Sequence, residues 1–128
     1  MIGYALLGSD DLERSRTFYD ALFRTIGAGR LMEFPNGTVW GAGQTSPMIG
    51  VTLPYDGKPA TAGNGTMIAL VVDERAKVDA LHAKAVELGG KDEGAPGVRG
   101  GEGEQAFYAA YFRDLDGNKF CAFRTGPA

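Results

Sequence analysis

Two side chains that occur once each carry the most obvious chemistry in this 128-residue chain, Cys121 and His82. A cysteine becomes a nucleophile when a nearby base, cation or helix N-terminus lowers its pKa. Cys121 stands in Phe120-Cys-Ala-Phe123, among apolar residues and far in sequence from the histidine, so it reads as a buried, inert thiol. His82 lies between Leu81 and Ala85, beside an apolar helical stripe, and reads as a surface or boundary residue. The phenols of Tyr4 and Tyr108 are further candidates, because a low-pKa phenol or thiol in a dry pocket can act as general acid or base. Glu33, Arg99, Glu102, Glu104 and Arg113 sit beside expected strands or on glycine-rich loops, where they could close over a ligand. Solvated loop charges account for them equally well.

The elements that must position these groups follow from periodicity. Residues 2–8 form an apolar run bounded by turn residues. A helix should follow, capped by Asp10 or Asp11, and Asp10 with Glu13 would make a capping box. Leu12, Ser15, Tyr19, Leu22 and Ile26 recur at three- and four-residue steps, widened by Phe18 and Phe23, and Gly27 stops the helix. Strands are expected at Gly29–Phe34, Thr38–Gly41 and Met48–Leu53, with Asn36-Gly37 as a hairpin turn. The second half repeats the plan: a strand at Met67–Val72, a helix capped by Asp73, and a stripe of Val78, Leu81, Ala85 and Leu88 ended by Gly89-Gly90. A short strand near Lys91–Ala95 and strands at Phe107–Arg113 and Lys119–Arg124 complete it. Tyr4 maps onto Met67 and Gly27 onto Gly89 or Gly90, a shift of 62 or 63 residues each time.

A formal charge of −3 without any run of Lys or Arg argues against nucleic acid and anionic membranes as partners. The longest apolar run, Met67–Val72, is far short of a membrane span, and no signal-peptide pattern is visible. A single cysteine excludes an internal disulfide and a cysteine-based zinc cluster. These features predict a soluble, cytoplasmic, single-domain protein. Many of the 20 glycines cluster in Gly63–Gly65, Gly89–Gly90 and Gly94–Gly103. None of these clusters fits a phosphate cradle, since no Gly-Lys-Ser/Thr occurs and Gly100–Gly103 does not open a helical pattern.

Three segments together carry a family resemblance. Tyr108-Ala-Ala-Tyr-Phe-Arg-Asp-Leu-Asp-Gly-Asn-Lys-Phe-Cys-Ala-Phe123 resembles the closing hairpin of the vicinal-oxygen-chelate superfamily, the glyoxalase, bleomycin-resistance and extradiol-dioxygenase group. Asp11-Leu-Glu-Arg-Ser-Arg-Thr-Phe-Tyr-Asp-Ala-Leu-Phe23 is similar to its first helix, and Gly65-Thr-Met-Ile-Ala-Leu70 to the strand opening its second half. The resemblance implies an α+β fold of two β-α-β-β-β modules. They would form a curled, barrel-like mixed sheet with helices outside, enclosing a pocket between the modules. Module one would span residues 1–53, the linker 54–64 and module two 65–125, within one domain covering 1–128.

The same resemblance places the four metal-ligand positions of metal-dependent members on Tyr4, Gly50, Met67 and Cys121. Divalent ions of that chemistry take imidazole or carboxylate donors, and none of these residues supplies one. The expectation is therefore no metal, no cofactor and no metal-dependent glyoxalase reaction.

If those four positions face the concave side, strand alternation puts Leu6, Thr52, Ala69, Val71 and Phe123 there too. Register across the Asp116-Gly117 turn is expected to bring Tyr108, Ala110 and Phe112 inward and to turn Tyr111 outward. The pocket candidates are Tyr4, Trp40, Gly50, Thr52, Met67, Tyr108, Phe112 and Cys121, with no catalytic residue assigned. Such a surface can stack a flat ligand while a phenol orients it. The leading reading is a metal-independent, bleomycin-resistance-like protein that binds a small, partly apolar or aromatic molecule, as a homodimer. The alternatives are a lyase or isomerase acting through tyrosine or cysteine, and a degenerate structural or regulatory module with its cavity packed shut.

Overall fold

A computed structural model describes all of residues 1–128. It contains β1 (Tyr4–Gly8), α1 (Leu12–Arg24), β2 (Gly29–Phe34), β3 (Gly37–Gly41) and β4 (Met48–Thr52) in the first module. The second has β5 (Ile68–Val71), α2 (Arg75–Glu87), β6 (Lys91–Arg99), β7 (Phe107–Arg113) and β8 (Lys119–Thr125). Each module folds into one four-stranded mixed sheet, in the order β1-β4-β3-β2 and β5-β8-β7-β6. The first strand runs parallel to the last, and the remaining pairs are antiparallel. The α+β architecture of two repeated modules is thus as expected, with one correction. No strand of the first sheet pairs with a strand of the second, so within one chain the two sheets do not close into a barrel. No helix is long and apolar enough to cross a membrane.

Helix starts differ in detail from the sequence reading. Asp11 is the N-cap of α1 and accepts from the backbone N–H of Arg14. Asp10 instead accepts from the N–H of Ala60 in the inter-module linker, and Glu13 bridges to Arg16 rather than reaching back, so no capping box forms. At α2 the N-cap is Glu74, without a side-chain cap, while Asp73 pairs with Lys77 one turn on. Each of these acids is held by a cation or amide away from the helix-end N–H groups. The expected short strand near Lys91–Ala95 extends to Arg99, with irregular register on either side of Gly94.

Both helices pack their apolar stripes on one face of each sheet. Phe18, Tyr19, Leu22 and Phe23 of α1 and Val78, Leu81 and Ala85 of α2 join Leu7, Trp40, Val51, Ala110, Phe112, Phe120 and Ala122 in one continuous core. This core spans both modules: Tyr19 lies 6.0 Å from Phe120 and 5.4 Å from Trp40, ring centre to ring centre. Burying such rings stabilises by about 25 cal/mol per Å² of apolar area. The modules are therefore joined through their helix-bearing sides, leaving each sheet's other face, the open face, turned outward.

Polar contacts add to this junction. Asp116, in the loop between β7 and β8, accepts from the N–H of Asp10, the Arg14 guanidinium and the Ser15 hydroxyl. Asn118 Nδ2 donates to the carbonyl of Gly8.

Candidate functional site

The identity of the open-face residues in the second module is set by the loop that joins β7 to β8. Asp114 is 5% exposed. It accepts from the backbone N–H groups of Asp116 and Asn118, from Asn118 Nδ2 and from the Tyr19 hydroxyl. A buried carboxylate needs such donors, and the chain wraps around it. The closing pair is Arg113↔Lys119, so the loop is Asp114–Asn118, an odd-length connection, with Gly117 supplying a positive φ of 90°.

A two-residue Asp-Gly turn would have set Cys121 opposite Phe112; the longer loop sets it opposite Tyr111. A one-residue change in register exchanges the two faces. The expected orientation is accordingly corrected: Phe107, Ala109 and Tyr111 share the open face with Cys121 and Phe123, while Tyr108, Ala110 and Phe112 face the helices. Phe112 stacks on Phe120 in the core, and the Tyr108 hydroxyl donates to Asp79 of α2 at 2.6 Å. That contact with Asp79 raises the Tyr108 pKa, as does partial burial, which disfavours a role as a low-pKa acid. Trp40 is likewise helix-facing, 1% exposed, with its indole N–H on Asp20.

On the first module's open face lie Tyr4, Leu6, Met32, Phe34, Val39, Met48, Gly50 and Thr52. Tyr4 is 60%, Leu6 54% and Phe34 50% exposed, an uncovered apolar surface. Gly50 forms its floor, where a Cβ would come within 2.5 Å of Leu6 Cδ2. The charged residues of this sheet, Arg30 and Glu33, bond to each other, and Arg30 also bonds to Asp20 of α1.

The second open face differs in charge. It carries Met67, Ala69 and Val71 beside Cys121, Tyr111, Phe107 and Phe123, and three cations: Arg99, Arg113 and Lys119. Arg99 and Lys119 lie 5.5 Å and 5.8 Å from the Tyr111 ring centre. The one nearby carboxylate, Glu93, binds Arg113 Nε at 2.7 Å; that hydrogen bond first, then the charges of Lys91, Arg113 and Lys119, holds its pKa down against burial. Tyr111 is expected outward and is found on the open face, Lys119 is not among the expected site residues, and Arg99, expected as a loop charge able to close over a ligand, lies over the Tyr111 ring.

Burial pushes the Cys121 thiol up; contact with the Tyr111 hydroxyl and the charges of Arg99 and Lys119 oppose that shift without reversing it. It is a neutral thiol at neutral pH, 1% exposed. His82 bonds Asp92 across the surface of the second module, away from Cys121.

The four residues that the resemblance assigns to metal-ligand positions fall as Tyr4 and Gly50 on one sheet, and Met67 and Cys121 on or beside strands of the other. Nowhere do three His, Cys, Asp or Glu side chains come together as a metal-ligand group. A phenol, a glycine, a thioether and a buried thiol do not fit a divalent ion that prefers imidazole and carboxylate.

Two clefts accompany these faces. One, of about 910 Å³, runs between the modules, lined by Trp40, Phe23, Ile26, Ile49, Met67 and Leu70 among mostly apolar residues. Its charged members, Asp73 and Lys77, neutralise each other. The other, of about 520 Å³, lies between residues 62–66, where the linker enters module two, and Met67, Arg113 and Lys119.

The duplicated β-α-β-β-β plan and its closing hairpin agree with a family model described as the glyoxalase/bleomycin resistance protein/dioxygenase superfamily, which matches residues 1–122. The chain belongs to this superfamily. Among solved structures, a glyoxalase/bleomycin resistance protein from Albidiferax ferrireducens T118 is 36% identical with a TM-score of 0.86, covering 97% of this chain and 98% of that one. A glyoxalase/bleomycin resistance protein/dioxygenase family enzyme from Burkholderia phytofirmans PsJN is 20% identical, with a TM-score of 0.72 over 96% of this chain and 97% of that one. A lactoylglutathione lyase from Agrobacterium tumefaciens is 19% identical, with a TM-score of 0.64 over 97% of this chain and 92% of that one. The last two likenesses are of fold alone. No curated protein matches the chain. For a glyoxalase-superfamily fold hosting many chemistries, the side chains on the open faces must carry the functional argument.

Proposed function

We propose that this superfamily member binds a small, partly aromatic molecule between open faces, without a metal, in a pocket that a second copy of the chain completes. The observation that carries this reading is the uncovered apolar surface of the first module, Tyr4, Leu6 and Phe34 above all. Contiguous apolar area of this kind marks an interface or a ligand surface. Because the two sheets of one chain do not pair, a partner's second sheet can face this chain's first. The pocket then has Tyr4, Gly50 and Thr52 on one wall and Met67, Tyr111 and Cys121 on the other. Aromatic area supplies affinity, and the Tyr4 and Tyr111 hydroxyls supply orientation.

Sequestration suits this wall better than turnover. Tyr4, Gly50, Met67 and Cys121 supply no imidazole or carboxylate to hold a Lewis-acidic ion, and the raised Cys121 pKa disfavours a thiolate nucleophile. A cytoplasmic setting belongs to the same reading.

Calorimetric titration with bleomycin and with neutral 2-naphthalenemethanol, each with and without a chelator, tests the proposal. Saturable binding of either compound that the chelator leaves unchanged is expected. Binding that appears only with added divalent ion, or no binding of either compound, would overturn it.

A further inference from the structure

The chain is acidic overall, with a net charge of −3, which taken alone would favour a cationic ligand. The local charge of the second open face has the opposite sign. Arg99, Arg113 and Lys119 project there against the single carboxylate of Glu93, and Glu93 is already engaged by Arg113. Neither Arg99 nor Lys119 makes an ion pair. The Arg99 guanidinium spends its N–H groups on the carbonyls of Gly97 and Ala95, neutral acceptors that leave its charge uncompensated.

The backbone is built to hold Arg99 in that place. A Cβ on Gly94 would lie 3.2 Å from Arg99 Nη2 and 3.0 Å from Tyr111 Cδ2, and one on Gly97 would lie 3.3 Å from Arg99 Nη1. The two glycines of β6 thus leave the space in which the guanidinium folds back over the strand towards the Tyr111 ring. Lys119 reaches the same ring and also lines the 520 Å³ cleft with Arg113, next to Asn64 and Thr66. Two half-buried cations flank one aromatic ring, and a polar cleft opens beside one of them.

The first module's open face carries no charge: Arg30 and Glu33 stand opposite Trp40 and Thr38 on the helix-bearing side of the sheet, where Arg30 bonds to Asp20 of α1. A pocket made from the two faces is therefore polarised, with an apolar aromatic wall opposite a cationic one. We infer that the ligand is an organic anion, an aromatic or aliphatic body bearing a carboxylate or phosphate group. Its charged group sits at Lys119 and Arg99, and its body lies against Tyr111 and the facing apolar wall. The inference rests on the pocket reading above and adds the charge class of the ligand. Charge-assisted hydrogen bonds in a half-dry site are stronger than neutral ones, and Arg and Lys both bind oxyanions.

The test titrates the full-length protein with four probes that share one ring system: naphthalene-2-carboxylate, 2-naphthyl phosphate, neutral 2-naphthalenemethanol and cationic 2-naphthylmethylamine. Lys119→Gln and Arg99→Gln are compared with the parent, and Lys58→Gln, in the exposed linker and outside every ion pair, serves as a control. At least one anionic probe is expected to bind roughly tenfold more tightly than the neutral alcohol, with affinity falling as salt rises. Each of the two cation variants should remove most of that advantage while leaving the alcohol's affinity in place and the protein folded at the assay temperature, as read by its unfolding curve. The tighter of the two anions then identifies carboxylate or phosphate as the preferred group. If the alcohol or the amine binds as well as both anions, or if the cation variants leave the advantage intact, the anion inference falls and the pocket reading stands. If no probe binds, the anion inference falls, and the pocket reading falls with it only where bleomycin also fails to bind.

Discussion

The hydroxyl of Tyr19, in the middle of α1, donates to the buried carboxylate of Asp114, which opens the loop between β7 and β8. One contact thereby joins the first module's helix to the loop that sets the register of the second module's closing hairpin. Desolvation is the largest cause holding the Tyr19 pKa well above its ordinary value of 10.0, followed by the Asp114 charge and hydrogen bond. Tyr19→Phe deletes one donor to a buried acceptor and should cost about 1–3 kcal/mol, read as a lower midpoint in urea unfolding with an unchanged slope. The native pKa is the raised one, so this contribution is complete below pH 10 and is lost as pH climbs from there through the folded value. Stability of the parent should therefore fall more steeply with alkaline pH than that of Tyr19→Phe. Parallel curves would remove the assigned linkage.

Gly90 follows α2 where no side chain fits. A Cβ there would lie 2.6 Å from the Arg113 carbonyl oxygen and 2.7 Å from that of Ala85, both backbone atoms. Gly90→Ala must shift the helix end or β7 and is expected to cost about 1–3 kcal/mol, measured by chemical denaturation. An unchanged midpoint would show that the helix end yields without strain.

Exposure of Tyr4, Leu6 and Phe34 predicts self-association. Light scattering after size exclusion should give a mass near twice 13.5 kDa. Leu6→Glu, which puts a charge in the middle of the apolar wall, should give a monomer of intact helix content. A parent protein that runs as a monomer at micromolar concentration would exclude the completed pocket.

Burial raises the Cys121 pKa from its ordinary 9.0. A thiol reagent should leave the native protein almost unmodified at pH 7 and react fully once the chain is unfolded. In the native state, modification should start only well into the alkaline range. Rapid labelling at neutral pH would restore the thiol to the list of reactive groups.

Excess zinc, nickel or manganese should leave the melting temperature unchanged, because a ligand that binds only the folded state must raise it. A rise of several degrees, reversed by chelator, would mean that donors other than Tyr4, Gly50, Met67 and Cys121 assemble a metal site.

Much of the fold can be read locally because helix and strand periodicities are local properties. The stripe from Leu12 to Phe23, the stop at Gly27, and the strands Gly29–Phe34 and Phe107–Arg113 all follow from spacing alone, and the repeat follows from their order. The residue types at Tyr4, Gly50, Met67 and Cys121 are equally a matter of sequence, since side-chain chemistry does not depend on where the chain goes.

Which residues reach the open face was a different kind of question. It turned on the length of one loop, and that length is set by contacts that sequence spacing does not display. Asp114 gathers the N–H groups of Asp116 and Asn118 and meets Tyr19 from the opposite module, and the resulting loop places Tyr111, not Phe112, beside Cys121. Arg99 looked like a loop charge because its place over Tyr111 depends on space left by Gly94 and Gly97. The sequence by itself determined the modules, their order and the donor chemistry. Tertiary structure decided which face each strand residue occupies and that the two sheets stay apart, because a period-2 pattern has two equivalent phases and only long-range packing chooses between them.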